Sequence, residues 1–251
     1  MRLTNKDYWD SMYSGKTAFF DNKDHSISYF LNQYLKNGDS KESLEIGSFP
    51  GAFQPTIARN GYKLNGIDFN EGNSKELPNW LKSLNIDIGK FHTYDFFLFI
   101  KDFETKYDLV CSFGFIEHFK NYEEVLKLHC NLVKPGGQLV LTTPNFRGWM
   151  QFIPHFLVDR QNLSKHYLPS MNPDKWRHIL ETNGFDVEYS GYFGGYSFWI
   201  DKRADKGTFM YVFQRFVEGA ISQLKKIFSI LNFESSSFSC FCGVVATKRI
   251  Y

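Results

Sequence analysis

The sequence predicts an α/β fold, a doubly wound sheet of mostly parallel strands covered by helices on both faces, and three observations predict it. Short apolar runs alternate with stretches of helical periodicity through the first 145 residues. That βαβα rhythm requires crossover helices between parallel strands. The chain has 251 residues, a length at which one α/β domain is common and most apolar surface is buried on folding. One domain over residues 1–251 is therefore expected, with residues 1–145 forming one half and residues 146–251 the other.

In order along the chain, Ile27, Phe30, Leu31, Tyr34 and Leu35 repeat at helical spacing, so a helix is expected from Ser26 to Lys36, ended by Gly38. A strand at Ser43–Gly47 and a helix after Gly51 follow, then strands at Lys63–Asp68 and near Phe91–Asp95. Further strands are expected near Asp108–Phe113 and Gln138–Thr143, with a helix at about Tyr122–Val133 between them. From Asn145 to Asn172 no element is read. A connection that long in a compact domain is usually a lid or binding segment. A helix at about Pro173–Asn183 and strands at Phe185–Phe193 and Phe238–Thr247 complete the pattern, with a helix from about Phe209 to Leu231 keeping one apolar face for more than five turns.

Composition narrows the function. Charged residues are 22% of the chain and the formal net charge is +2, with Lys and Arg scattered. Nucleic acid is not favoured as a partner. Nothing reaches the roughly 18 consecutive apolar residues of a membrane span, and the N-terminus lacks a signal-peptide core. A cytoplasmic protein without stable membrane insertion is expected. The four cysteines contain no C-x-x-C pair, so reduced buried thiols are expected and no metal set is read from the sequence.

The most informative segment is Ser43–Gly51, SLEIGSFPG, a strand ending in Glu45-Ile46-Gly47 that turns through Phe49 and Gly51 into a helix. Glycines there let the backbone pass close to a ligand. Roughly twenty residues on, a second strand ends in Asp68, the spacing at which an acidic side chain accepts both hydroxyls of a ribose. A nucleoside-type ligand follows. A carboxylate at the base of the turn, Glu45, disfavours a pyrophosphate, and Phe49 replaces the glycine that a dinucleotide needs. A cationic nucleoside without phosphate suits both features.

At this point the residues resemble the class I S-adenosylmethionine-dependent methyltransferases, in particular their ubiquinone-biosynthesis-type, small-molecule branch. Glu45–Gly51 is similar to the family's first motif, Asp68 to its ribose-binding acid, and Tyr94-Asp95-Phe96 to the segment whose acid receives the adenine amino group. Tyr107–Phe119, YDLVCSFGFIEHF, resembles the fourth-strand motif, and Leu132–Leu141 followed by Thr143-Pro144-Asn145 the helix-to-fifth-strand motif. The resemblance implies a Rossmann-like seven-stranded sheet with an antiparallel last strand, and S-adenosyl-L-methionine as cofactor. It implies a cofactor site of Glu45, Gly47, Phe49, Gly51, Asp68, Phe69, Asp95, Phe96, Phe113 and Gly114. The pair Phe49-Pro50 departs from the glycine and small residue usual in the family.

Methyl transfer from a sulfonium is an in-line displacement, so the enzyme mainly aligns the reactants and excludes water. A base is needed only when the acceptor is protonated at neutral pH, as a hydroxyl is. Three histidines are candidates: His118 just after the fourth strand, and His155 and His166 in the long connection. His166 lies in a polar stretch and is expected to titrate freely as general base, whereas a packing role competes for His155 and a pocket-shaping role for His118. Asp159 and Arg160 are expected to form a lid ion pair or to bind a charged acceptor. Phe113, Phe115, Trp149, Tyr192, Tyr196 and Trp199 divide between core and acceptor pocket. The expected reaction is methylation of a small-molecule acceptor at oxygen. A nicotinamide-dependent oxidoreductase and a non-catalytic methyltransferase-like module are the rivals, and the helix near residues 209–231 is read as core or as the face of a homodimer.

Overall fold

A computed structural model describes residues 1–13, 19–100, 104–197, 215–216, 219–220, 223 and 234–250. The expected helix at Phe209–Leu231 and Trp199 lie, apart from five residues of that helix, outside the described residues. Seven strands form one sheet: β1 (Glu42–Ile46), β2 (Lys63–Asp68), β3 (Ile88–Thr93), β4 (Tyr107–Phe113), β5 (Val133–Pro144), β6 (Phe185–Phe193) and β7 (Phe241–Lys248). Their spatial order is β3-β2-β1-β4-β5-β7-β6. β1 to β5 are mutually parallel, and β7 runs antiparallel to both β5 and β6. The expected architecture and the antiparallel last strand are both present.

Helices cover both faces because the strands alternate. On β4, Leu109 and Cys111 join one apolar cluster and Val110 the other, and on β5 Val140 faces opposite Leu139 and Leu141. One face carries α2 (Ser26–Tyr34), α3 (Gln54–Arg59) and α5 (Leu77–Ser83), which contribute Leu31, Ile57 and Leu81. The other carries α6 (Phe96–Phe99), α7 (Tyr122–Asn131) and α10 (Pro173–Thr182), with Trp176 fully buried among them. A single turn, α4 (Gly72–Lys75), precedes α5.

Two segments depart from expectation. The connection from Asn145 to Asn172, in which no element is expected, holds α8 (Trp149–Val158), α9 (Arg160–Leu163) and a 3₁₀ turn at Leu168–Ser170. Pro154 inside α8 and apolar residues around most of its circumference hide the helix from periodicity arguments. The N-terminus holds α1 (Lys6–Met12), capped by Asn5, whose side chain accepts from the Tyr8 amide. No helix among the described residues is long and apolar enough to cross a membrane. All four cysteines are buried free thiols.

Candidate active site

The strand order reverses between β1 and β4, and in such sheets a crevice opens there, at the carboxyl ends of the strands. Two glycines flank it. Gly47, just past β1, has φ +75°, and a Cβ on it would lie 2.8 Å from the ring of Phe115. Gly114, just past β4, has φ +76°. Only glycine adopts such a backbone at little cost, and its bare Cα lets a ligand approach the main chain.

Asp68 ends β2 and ties the two motif strands together. Its Oδ2 accepts from the amide of Phe49 at 3.2 Å and its Oδ1 from the amide of Asn70 at 2.8 Å. Burial pushes its carboxyl up to about 6, against the downward pull of these amides. Lone pairs remain on both oxygens for further donors. Glu45 lies deeper, 4% exposed, and its Oε2 has no hydrogen-bond partner among the described residues. Burial raises its carboxyl well above the usual range, the amide of Gln54 works in the opposite sense, and the charge of Asp68 raises it further.

A cavity of about 110 Å³ opens beside Asp68, walled by Gly47, Phe49, Phe69, Phe96, Phe113 and Gly114. Glu45, Gly51 and Asp95 are not on its wall. Gly51, with φ +80°, answers instead to packing, since a Cβ there would meet Leu77 at 2.4 Å. Asp95 caps α6 by accepting from the amide of Phe97 at 2.8 Å, and it forms an ion pair with Arg2. The N-terminal residues Arg2, Thr4, Trp9 and Tyr13 also line this cavity. Sequence reasoning missed these four. The only signal was the Asn5 cap followed by Trp9 and Tyr13 one helical turn apart.

A second cavity of about 510 Å³ shares Trp9, Tyr13, Phe113, Gly114 and His118 with the first. Its described lining contains no Lys, Arg or Asp: rings such as Tyr8, Phe53, Phe146 and Phe241 dominate, with Glu117, His118 and His166 as the titratable groups beside His25 and the tyrosines. His118 and His166 lie 4.8 Å apart, ring centre to ring centre. Nδ1 of His118 bonds the carbonyl of Lys165 at 2.9 Å, and Nδ1 of His166 bonds the carbonyl of Asn162 at 2.8 Å. A carbonyl only accepts, so each Nδ1 carries a hydrogen and each neutral ring keeps its lone pair on Nε2. Burial pushes His118 down to about 4 and His166 down to about 3, the latter helped by the nearby His118. The expected polar setting for His166 is thus corrected: the ring packs against Phe146 at 4.9 Å and stays neutral at neutral pH.

Glu117 received no role from the sequence, yet it lines the second cavity beside Gly114, a residue common to both. Its Oε1 lies 3.3 Å from where a Cβ on Gly114 would be, and its Oε2 is buried without a hydrogen-bond partner among the described residues. Burial pushes its carboxyl up to about 8. One ligand atom each from Glu117, His118 and His166 lie within 4.8 Å of one another, a set with the spacing to hold a metal ion. His155 is fully buried, bonded through Nδ1 to the Gln151 carbonyl at 2.8 Å, and lies outside both cavity walls.

Asp159 is buried at 2% exposure while Arg160 stacks outside on Phe156, so the expected exposed lid pair does not form. Of the aromatic candidates, Phe113 lines both cavities and Phe115 the first, Trp149 is exposed, and neither Tyr192 nor Tyr196 lines either. A wider cleft of about 600 Å³ lies at the opposite, amino end of the strands, but there Arg59 is already paired with Asp21 at 2.6 Å.

Residues 20–190 match the sequence profile of the methyltransferase domain family. A ubiquinone biosynthesis O-methyltransferase of Coxiella burnetii is 24% identical over 129 residues, 51% of this chain and 53% of that protein. The chain thus spans about half the length of the curated relatives it matches. Among solved structures, an S-adenosylmethionine-dependent methyltransferase from Archaeoglobus fulgidus superposes with a TM-score of 0.56 at 21% identity, covering 98% of this chain and 100% of that one. Magnesium protoporphyrin IX methyltransferase from Synechocystis, solved with bound S-adenosylhomocysteine, superposes with a TM-score of 0.53 at 14% identity, covering 96% and 93%.

Proposed function

This chain belongs to the methyltransferase domain family, and from that membership we propose that it transfers a methyl group from S-adenosylmethionine to an oxygen of a small-molecule acceptor. The observation that carries the reading is the pair of cavities meeting at Gly114: one beside a buried, amide-bound Asp68, the other lined by rings and by neutral imidazoles.

The residues fit such a cofactor. Asp68 offers two oxygens to ribose hydroxyls, Gly47 leaves room beside the main chain, and Glu45 holds a buried carboxyl oxygen without a partner among the described residues. When bound, the cofactor supplies an electrophilic methyl group on a cationic sulfur. Everything else falls to this chain. Phe113 and Gly114 belong to the wall common to both cavities, so they help set the line along which acceptor and methyl meet. The described wall of the acceptor cavity carries Glu117 in its neutral form at pH 7 and imidazoles in theirs, which favours an uncharged, ring-bearing acceptor over a phosphorylated one. His166 accepts the hydroxyl proton at Nε2 as the acceptor oxygen bonds to the methyl carbon, and releases it to solvent after transfer.

Two measurements test this. Calorimetric titration should show S-adenosylhomocysteine binding at micromolar concentration and no binding of NAD. Transfer of labelled methyl from S-adenosylmethionine to a panel of uncharged phenols should then give product. Binding without turnover on any acceptor would favour a non-catalytic module, and tight NAD binding alone would overturn the cofactor assignment.

A further inference from the structure

The proposed cofactor has to present its sulfonium to the acceptor cavity, which adjoins the first cavity at Phe113 and Gly114. Asp68 holds the ribose in the middle. The base must therefore lie at the other end, where Phe69 offers a flat face and Asp95 an acceptor oxygen. That end is taken. The guanidinium of Arg2 lies 4.5 Å from the centre of the Phe69 ring and 4.9 Å from that of Phe97, and it is ion-paired with Asp95. A guanidinium is planar and donates N–H groups in its plane, so it makes the same two contacts an aminated purine would make.

The cavity is also too small for its ligand. It measures about 110 Å³, whereas sites for ligands of this size run from about 300 Å³ upward. Some wall has to give. Gly47, Asp68 and Gly114 sit at the ends of central strands of a seven-stranded sheet. The opposite wall is the N-terminal segment, whose helix α1 has no fully buried residue. It is held by the Arg2 pair, by an isolated bridge from Arg2 to Phe119, by short backbone bonds such as Leu3 N–H to His118 O at 2.8 Å, and by two ring contacts, Trp9 on His118 and Tyr13 on Phe49. Segments with few buried apolar contacts and mostly polar attachments open at low free-energy cost.

We propose that Arg2 is an internal stand-in for the cofactor's base: it latches the N-terminal segment over the nucleoside cavity through Asp95 and Phe69, and the cofactor binds by displacing it. Because Trp9 and Tyr13 wall both cavities, and Trp9 packs edge-on to His118 at 5.1 Å, displacing the latch also reshapes the acceptor cavity. The inference rests on the cofactor assignment made above.

Calorimetry with S-adenosylhomocysteine on the full chain, on Arg2→Ala and on Arg2→Gln separates the two. A half-buried ion pair plus cation–π contacts that must be broken on binding predicts about three- to thirty-fold tighter binding in both variants. Hydrogen exchange in the unaltered chain supplies a readout that does not depend on the variants folding: residues 1–13 should exchange faster when the cofactor analogue is saturating. Binding that is unchanged or weaker in the variants, or slower exchange of residues 1–13, would overturn the latch while leaving the cofactor assignment intact. No binding by the unaltered chain would overturn both.

Discussion

The amide of Phe49 donates to Oδ2 of Asp68 across 3.2 Å, joining the turn after β1 to the end of β2. One hydrogen bond thus fixes the distance between the glycine turn and the acid that lies nineteen residues along the chain. It also explains why a bulky Phe49 is tolerated: the side chain turns into a ring cluster, edge-on to Tyr13 at 5.2 Å and Phe19 at 5.9 Å, while its amide does the positioning.

Replacing Asp68 by Ala removes the proposed acceptor for the two ribose hydroxyls in a largely buried site. The expected loss in S-adenosylhomocysteine affinity is about 1–3 kcal/mol, read by calorimetry. An affinity equal to that of the parent would remove Asp68 from the cofactor site.

Gly47→Ala forces a non-glycine residue to φ +75° and drives a Cβ to 2.8 Å from the Phe115 ring. The left-handed backbone alone costs about 1–2 kcal/mol, so a lower thermal midpoint and weaker cofactor binding are expected together. A variant with parental stability would show that the turn has another conformation.

Glu117 remains protonated in the folded chain up to about pH 8, against an ordinary 4.5. Between those values the unfolded chain binds fewer protons than the folded one, so this group's contribution to stability is lost as pH rises. Glu117→Gln has no such proton to lose. Urea unfolding at pH 5 and pH 8 should show the variant gaining about 3 kcal/mol on the parent across that interval. Parallel pH profiles would mean that Glu117 is ionised in its cavity.

His166→Ala should lower turnover on a hydroxyl acceptor by about 10²–10⁴-fold while leaving cofactor affinity nearly unchanged. Steady-state kinetics beside calorimetry reads both. Near-normal turnover would move the proton acceptor to His118, which lines the same cavity. His155→Ala, by contrast, deletes a ring packed 4.2 Å from Phe146 outside the cavity walls, and should lower stability more than it lowers turnover.

The sequence by itself determined the sheet and the residues that end its strands at the crevice, because both are written in local signals. Alternating apolar residues define each strand, glycine at Gly47 and Gly114 answers to backbone conformation, and Asp68 follows the turn at the spacing of one βαβ unit. Helix α8 was invisible because Pro154 and an apolar surface on most sides erase periodicity. Only the tertiary structure decided which titratable groups meet. Glu117 and His166 are far apart in sequence, and their common cavity, like the removal of His155 from it, follows from how α8 and α9 fold back over the strand ends. The ionisation of these groups depends on burial, which no spacing encodes. The contact between Arg2 and Asp95 has the same origin: it spans 93 positions and exists because the chain's first residues lie across the crevice that its sheet creates.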